Sequence, residues 1–223
     1  MNFTRKIVNY LQHRFKWVAV FFIVFYVVGV TGMLLNETFP VFKKLIPGAI
    51  LLSVFALAAF HQHVQKKELV LFAAIYILGF LAEMIGVNTG LIFGNYRYGE
   101  SLGIKLFNTP LIIGINWLLL SYISLSVATK LKTNGAVQII LASFIMLVYD
   151  VIIEQLAPVL DMWSWADNKV PVKNYLAWFV LALLFNAGLR LFSIKTNNKL
   201  APVLLACQLV FFSVLLLTFK LSP

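Results

Sequence analysis

The chain has 223 residues, of which 61% are hydrophobic and 12% are charged, with a formal net charge of +10. Soluble domains carry charge at roughly a quarter of their positions, so this composition excludes a soluble domain and indicates an integral membrane protein. Lysine and arginine occur singly or in pairs at the ends of apolar runs, which favours lipid headgroups over nucleic acid as their partners.

Seven continuous apolar runs follow one another, and each is compatible with a transmembrane helix, which needs about 20 apolar residues. We expect one polytopic membrane domain over residues 1–223, built as an all-α bundle of about seven transmembrane helices. The first run is longer than a signal-peptide core and no small-residue cleavage site follows it, so we expect it to be permanent. The expected helices are 17–35, 45–60, 69–87, 109–129, 136–157, 176–194 and 200–219.

The distribution of positive charge predicts the orientation. With seven helices, eleven lysines and arginines fall on the side of the N-terminus and seven on the other. Because positive residues are enriched on the cytoplasmic side, we expect the N-terminus in the cytoplasm. The connections on that side are short, and we expect plain turns in which His61 and His63 are solvated.

Two long, sparsely charged connections, residues 88–108 and 158–175, lie on the other side and are the expected location of function. The first has four glycines between aromatic residues, so its backbone can turn sharply while its rings face an apolar surface. We expect a lid or a re-entrant hairpin, the alternative being an aromatic belt at headgroup depth.

A short pattern occurs twice where a helix re-enters from the long-connection side. Pro110 precedes Trp117 by seven residues, and Pro171 precedes Trp178 by seven. A parallel repeat of two helix pairs would produce this pattern. Chance is the better explanation at this spacing.

Three acidic residues, Glu83, Asp150 and Glu154, fall within the apolar runs, where an ionised side chain costs at least a few kcal/mol. The predicted topology places all three near the ends of their helices, in one depth layer below the long connections. Asp150 and Glu154 share one helix face, so their repulsion should keep at least one protonated near neutral pH, as a general acid. The alternative is a structural polar cluster with nearby asparagines.

Several kinds of chemistry lack the residues they need. Three histidines are too few for the His-rich di-iron site of membrane desaturases, and the last apolar run has no interior lysine for a retinal Schiff base. Cys207 is the only cysteine, so an intrachain disulfide and a cysteine metal cluster are excluded. No phosphate-binding glycine loop occurs. We therefore expect neither a metal nor a cofactor.

Two blocks of residues carry a family resemblance. The first contains Glu83, Gly86, Thr89, Gly90, Phe93, Gly94, Tyr96, Tyr98, Gly99, Pro110 and Trp117. The second contains Asp150, Glu154, Trp163, Trp165, Pro171, Asn174 and Trp178. In these blocks the chain resembles the membrane-bound carotenoid biosynthesis proteins typified by the carotenoid 1,2-hydratases and the bisanhydrobacterioruberin hydratases.

The resemblance implies a hydratase that adds water across the terminal C1–C2 double bond of an acyclic carotenoid end, without a cofactor, in a bacterial or archaeal cytoplasmic membrane. Asp150 or Glu154 would protonate the alkene, and Glu83 would orient the attacking water. Tryptophan rings would stabilise the tertiary carbocation. The expected substrate-binding residues are Phe93, Tyr96, Tyr98, Asn116, Trp117, Trp163, Trp165, Asn174 and Trp178.

Two alternatives stay open at this point. A lycopene-type carotenoid cyclase would use the same cation, captured by an internal alkene instead of water. A non-catalytic transporter or lipid-binding protein would use the three acids as proton or ion sites. The expected partners are a carotenoid, water and membrane lipids.

Overall fold

The computed structural model describes residues 8, 10–61 and 64–221, so His63 lies outside the described residues. The described chain is a helical bundle with short strands near one end. Its helices are α1 (Phe15–Leu34), α2 (Phe39–Lys44), α3 (Ile46–Phe60), α4 (Lys66–Thr89), α5 (Ile112–Ala128), α6 (Gly135–Glu154), α7 (Val172–Leu191) and α8 (Ala201–Leu221). Its strands are β1 (Tyr96–Tyr98), β2 (Lys105–Leu106), β3 (Thr109–Pro110) and β4 (Trp163–Trp165).

The expected all-α membrane bundle is confirmed. Within the described residues, α1, α4, α5, α6, α7 and α8 are long and apolar enough to cross a membrane. Helix α3 is apolar but has 15 residues, and at 1.5 Å per residue it is shorter than a hydrocarbon core of about 30 Å. Pro47 lies in the first turn of α3, where a backbone N–H would have no intrahelical partner in any case. Proline is tolerated there but not inside a helix, so α3 begins as a helix separate from α2.

Local sequence signals explain where several helices begin and end. Helix α5 begins later than residue 109 because Thr109–Pro110 forms strand β3, which pairs with β2. Helix α6 ends at Glu154 rather than 157, just before the turn around Pro158. Helix α7 begins at Val172 rather than 176, because Pro171 has extended backbone and is the N-cap. The core of each expected span is helical.

Helix α5 lies at the centre of the bundle. It contacts α3, α4, α6, α7 and α8, and 72% of its membrane window is buried, against 17–39% for the other spans. A lipid-facing helix can be apolar on all its faces. Helix α5 is instead mostly surrounded by other helices, so its side chains lie between the cavities that the bundle encloses.

A buried polar network closes the end of the bundle opposite the strands. His61 Nδ1 lies 2.8 Å from Tyr122 Oη, and His61 Nε2 lies 3.3 Å from Glu68 Oε2. Asn198 donates to Tyr122 Oη and to Leu57 O. A His61 tautomer with its hydrogen on Nε2 satisfies both contacts, since Nε2–H then donates to Glu68 and Nδ1 accepts from the Tyr122 hydroxyl.

This network corrects the interpretation of the short connections as plain turns. His61 is 9% exposed, so the expectation of a solvated histidine is wrong, and Asn198 in the connection before α8 is fully buried. The physical reason is that the chain must satisfy polar backbone and side-chain groups where helix ends are covered by other helices. The buried side chains tie α3, α4 and α5 to the connection between α7 and α8.

We predict that His61→Ala destabilises the protein by about 2–4 kcal/mol, because it leaves buried Tyr122 and Glu68 groups without their partner. The measurement is thermal unfolding in detergent. Lys67→Ala, an exposed neighbour on α4, should leave the melting temperature unchanged. Equal melting temperatures for His61→Ala and the unmodified protein would contradict this role.

Candidate active site

The two long connections meet in an antiparallel ribbon made of β1 and β4. Its register pairs Tyr96 with Trp165, Arg97 with Ser164 and Tyr98 with Trp163. Because side chains alternate along a strand, the four aromatic residues share the face turned toward the helices, while Arg97 and Ser164 share the other. The ribbon therefore closes over the end of the bundle as a lid, and its inner face is aromatic.

Glu83 on α4 is held by three hydrogen-bond donors. Tyr96 Oη and Tyr98 Oη donate to its Oε2 at 2.7 and 2.6 Å. Trp117 Nε1 on α5 donates to its Oε1 at 3.0 Å. Burial and the nearby Glu83 carboxyl raise the pKa of both tyrosines above the usual value, so their hydroxyls stay protonated and serve as donors.

Glu154 at the end of α6 is held in the same way by different residues. Trp163 Nε1 and Trp165 Nε1 donate to its Oε2 at 3.0 and 2.7 Å. Asn174 Nδ2 on α7 donates to its Oε1 at 3.0 Å. Each glutamate thus receives two hydrogen bonds from one strand of the ribbon and a third from the helix that follows that strand.

Asp150 has a much poorer set of partners. It is fully buried, and Asn174 Nδ2 donates to its Oδ2 at 3.1 Å. Its Oδ1 has no hydrogen-bond partner in the described part of the chain. Asn174 therefore joins Asp150 and Glu154 through its two amide hydrogens.

Two segments of the chain build the site, residues 83–117 and residues 154–178. Their aromatic rings meet below the ribbon. Trp117 and Trp178 stack with ring centroids 3.9 Å apart. These are the tryptophans that stand seven residues after Pro110 and Pro171, so the repeated spacing has a structural counterpart. In each segment a glutamate precedes a ribbon strand, and the helix after that strand supplies the third hydrogen bond to the glutamate.

Two cavities adjoin this cluster. The smaller, of about 20 Å³, is lined by Glu83, Glu154, Asn174 and the aromatic residues around them, including Phe93. A cavity of this size holds about one water molecule. Asp150 does not line it.

The larger cavity has a volume of about 270 Å³ and is mostly apolar. It shares Ile113 and Trp163 with the smaller one, so the two meet there. Its lining includes Val28 and Leu45, which are 52% and 54% exposed, so it opens sideways on the lipid-facing surface.

The structure brings together most of the residues predicted from the sequence. The carboxyl groups, four tryptophans, Tyr96, Tyr98 and Asn174 form one cluster. Asn116 does not join it but lines the larger cavity, because adjacent helical residues point about 100° apart and Trp117 faces Glu83. Sequence reasoning did not identify Tyr26 and Gln208, which also line that cavity.

Residues 43–222 match the family of carotenoid biosynthesis proteins. The chain belongs to this family. No curated protein and no solved structure matches it. The match covers α3 to α8, and therefore includes every residue of the carboxyl cluster in this family member.

We predict that Gly79→Ala disturbs the cluster in this carotenoid biosynthesis protein. A Cβ at Gly79 would lie 2.9 Å from Trp117 Cβ, Cγ and Cδ1, too close without moving the indole that binds Glu83. Overpacking should lower the stability by about 1–3 kcal/mol, measured by thermal unfolding.

Gly48→Ala is the matched control, because a Cβ there meets no other atom within 4 Å. Both glycines are helical, so alanine by itself should stabilise each site by about 0.5–1 kcal/mol. A stabilising effect at both positions would show that Trp117 is not tightly fixed.

Proposed function

We propose that the protein is a cofactor-independent carotenoid hydratase, a lyase that adds water to the terminal C1–C2 double bond of an acyclic carotenoid end. The observation that carries this proposal is a space for one water between the buried carboxyl groups of Glu83 and Glu154, beside an apolar cavity open to lipid. The third buried carboxyl group, Asp150, is joined to Glu154 through Asn174. Membership of the carotenoid biosynthesis family supports a polyene as the substrate.

The polyene enters the larger cavity from the bilayer. The exposed Val28 and Leu45 side chains mark the opening, and the interior surface is apolar enough for a hydrocarbon chain. The smaller cavity is too narrow for an isoprenoid end, so the reacting double bond stays where the cavities meet, beside Ile113 and Trp163. This position brings the alkene close to Glu154, which lines the smaller cavity.

Asp150 and Glu154 act as a pair that shares one proton. Glu154 accepts three hydrogen bonds, which suits an anion, whereas Asp150 accepts one and has an unpartnered oxygen, which suits a protonated carboxyl. The proton moves from Asp150 to Glu154, which lines the smaller cavity, and Glu154 transfers it to C2, where the alkene electrons form a new C–H bond. C1 becomes a tertiary cation.

The cation is stabilised by the indole faces and captured by water. Trp163 lines both cavities, so its ring can face C1. The water in the smaller cavity attacks C1 and forms the C–O bond, while one of its hydrogens passes to the Glu83 carboxylate. The proton then returns from Glu83 to the Asp150 and Glu154 pair, and the product is a tertiary alcohol.

The charge distribution supports a cytoplasmic N-terminus. In that orientation α4 and α6 run toward the outer surface of a bacterial or archaeal cytoplasmic membrane. The ribbon then lies on the outer side, where water is available to refill the smaller cavity.

Expression in cells that make lycopene or gamma-carotene tests the reaction directly. We expect a product heavier than its substrate by one water, identified by mass spectrometry of the extracted pigments. An isomer of unchanged mass would identify a cyclase and contradict hydration. Unchanged pigments with both substrates would contradict both enzymatic functions.

Substitutions at the three carboxyl groups should separate protonation of the alkene from capture of the cation by water. We expect Asp150→Asn and Glu154→Gln to lower hydration by at least about 100-fold, because general acid catalysis contributes at this scale. Glu83→Gln should also lose hydration, but in D₂O the recovered substrate should gain deuterium, since the cation forms and then returns to the alkene.

The control is Glu37→Gln, which changes an exposed carboxyl away from the cluster. It should retain full hydration at the same level of membrane insertion. Full activity in both Asp150→Asn and Glu154→Gln would contradict the proposed acid, and deuterium-free substrate from Glu83→Gln would contradict the separate role of Glu83.

A further inference from the structure

A group of polar side chains lies inside the larger cavity, away from the carboxyl cluster. Tyr26, Tyr149 and Gln208 come from α1, α6 and α8 and line the same mostly apolar space, which Asn116 on α5 also lines. The Gln208 side chain hydrogen-bonds to the Tyr26 hydroxyl. The Tyr26 ring packs against Phe211 and the Tyr149 ring against Phe212, with centroids 5.7 and 5.6 Å apart, and both phenylalanines lie one turn after Gln208 on the same face of α8. The three therefore form one polar patch, here called the hydroxyl patch.

Two members of this patch have unused hydrogen-bonding groups. Gln208 is 4% exposed, and its Oε1 has no partner among the described residues. Tyr149 is 5% exposed, and its hydroxyl makes no hydrogen bond in the part of the chain that the structure describes. In a membrane interior, buried polar groups without partners cost several kcal/mol each, so an occupant of the cavity is expected to satisfy them.

The direction of the existing hydrogen bonds defines what the patch can accept. Ser53 Oγ donates to Ala49 O at 2.9 Å, so the Tyr26 hydroxyl, 3.5 Å from Ser53 Oγ, gives its hydrogen to Ser53. The free groups are then one acceptor, Gln208 Oε1, and one donor, the Tyr149 hydroxyl.

An alcohol satisfies both free groups at once. Its O–H donates to Gln208 Oε1, and its oxygen accepts from Tyr149. A ketone would leave Gln208 without a donor, and a hydrocarbon would leave both groups unpaired. We propose that the hydroxyl patch binds the hydroxyl group of an isoprenoid alcohol whose hydrocarbon chain fills the rest of the cavity.

The patch is separate from the place where hydration would create a hydroxyl. Tyr149 precedes Glu154, which lines the smaller cavity, by five residues on α6, so it lies about 7–8 Å deeper along the helix axis than Glu154. The hydroxyl patch is therefore a binding site in addition to the proposed hydration site. The proposal for the patch does not depend on whether the carboxyl groups hydrate an alkene.

The test compares the saturated pair phytanol and phytane, which have no double bond to protonate. Tryptophan fluorescence of the detergent-solubilised full chain reports binding, because Trp163 lines the cavity. We expect phytanol to bind roughly threefold to tenfold more tightly than phytane, the range of one to two hydrogen bonds. Gln208→Leu and Tyr149→Phe should each reduce this preference while phytane binding is unchanged.

Thr218→Val is the matched control on α8, because among the described residues the Thr218 hydroxyl bonds only to the carbonyl of Val214 in its own helix and Thr218 does not line the cavity. It should keep the full preference for phytanol. Equal binding of phytanol and phytane to the unmodified protein would indicate that water fills the patch and would overturn the proposal. A preference that survives both Gln208→Leu and Tyr149→Phe would overturn it as well.

Discussion

Three carboxyl groups at membrane depth impose the main constraint on this fold, because each must find hydrogen-bond donors inside the protein. Glu83 and Glu154 receive three donors each, and two of each set come from the connections between helices. Those connections must therefore be ordered and held against the helix ends. The antiparallel ribbon meets this requirement, since its alternation directs all four aromatic donors to one face.

The donors that the ribbon supplies are tyrosine and tryptophan rather than lysine and arginine. A buried cation would form an ion pair with the acid and keep it deprotonated. An indole or phenol supplies a hydrogen bond instead and leaves an apolar ring facing the cavity. Cations do occur near the ribbon, but Lys43 pairs with Asp161 and Lys105 with Glu100, both partly exposed acids outside the cluster. Among the described residues the three buried acids of the cluster therefore have no cationic partner, as the proposed proton transfer requires.

Local patterns predicted the helices and the three acids, because an apolar run and a charge within it are both visible in a short window. The pairing of β1 with β4 joins residues nearly 70 positions apart, and no local signal fixes that register. Gln208 was missed for a related reason. One polar residue in an apolar helix is common, and only the position of α1 and α6 shows that Gln208 faces a cavity.

The two glutamates differ in what their donors can do, and this difference supports the separate roles proposed for them. Trp163 and Trp165 can only donate, so they hold Glu154 without offering a route for its proton. Tyr96 and Tyr98 have hydroxyls that can accept one hydrogen while releasing another, although burial and Glu83 raise their pKa and keep them neutral. In the proposed hydration Glu83 can therefore pass on the proton that it takes from water, which returns to the Asp150 and Glu154 pair, whereas Glu154 has no such route through its indole donors and keeps its proton for the alkene.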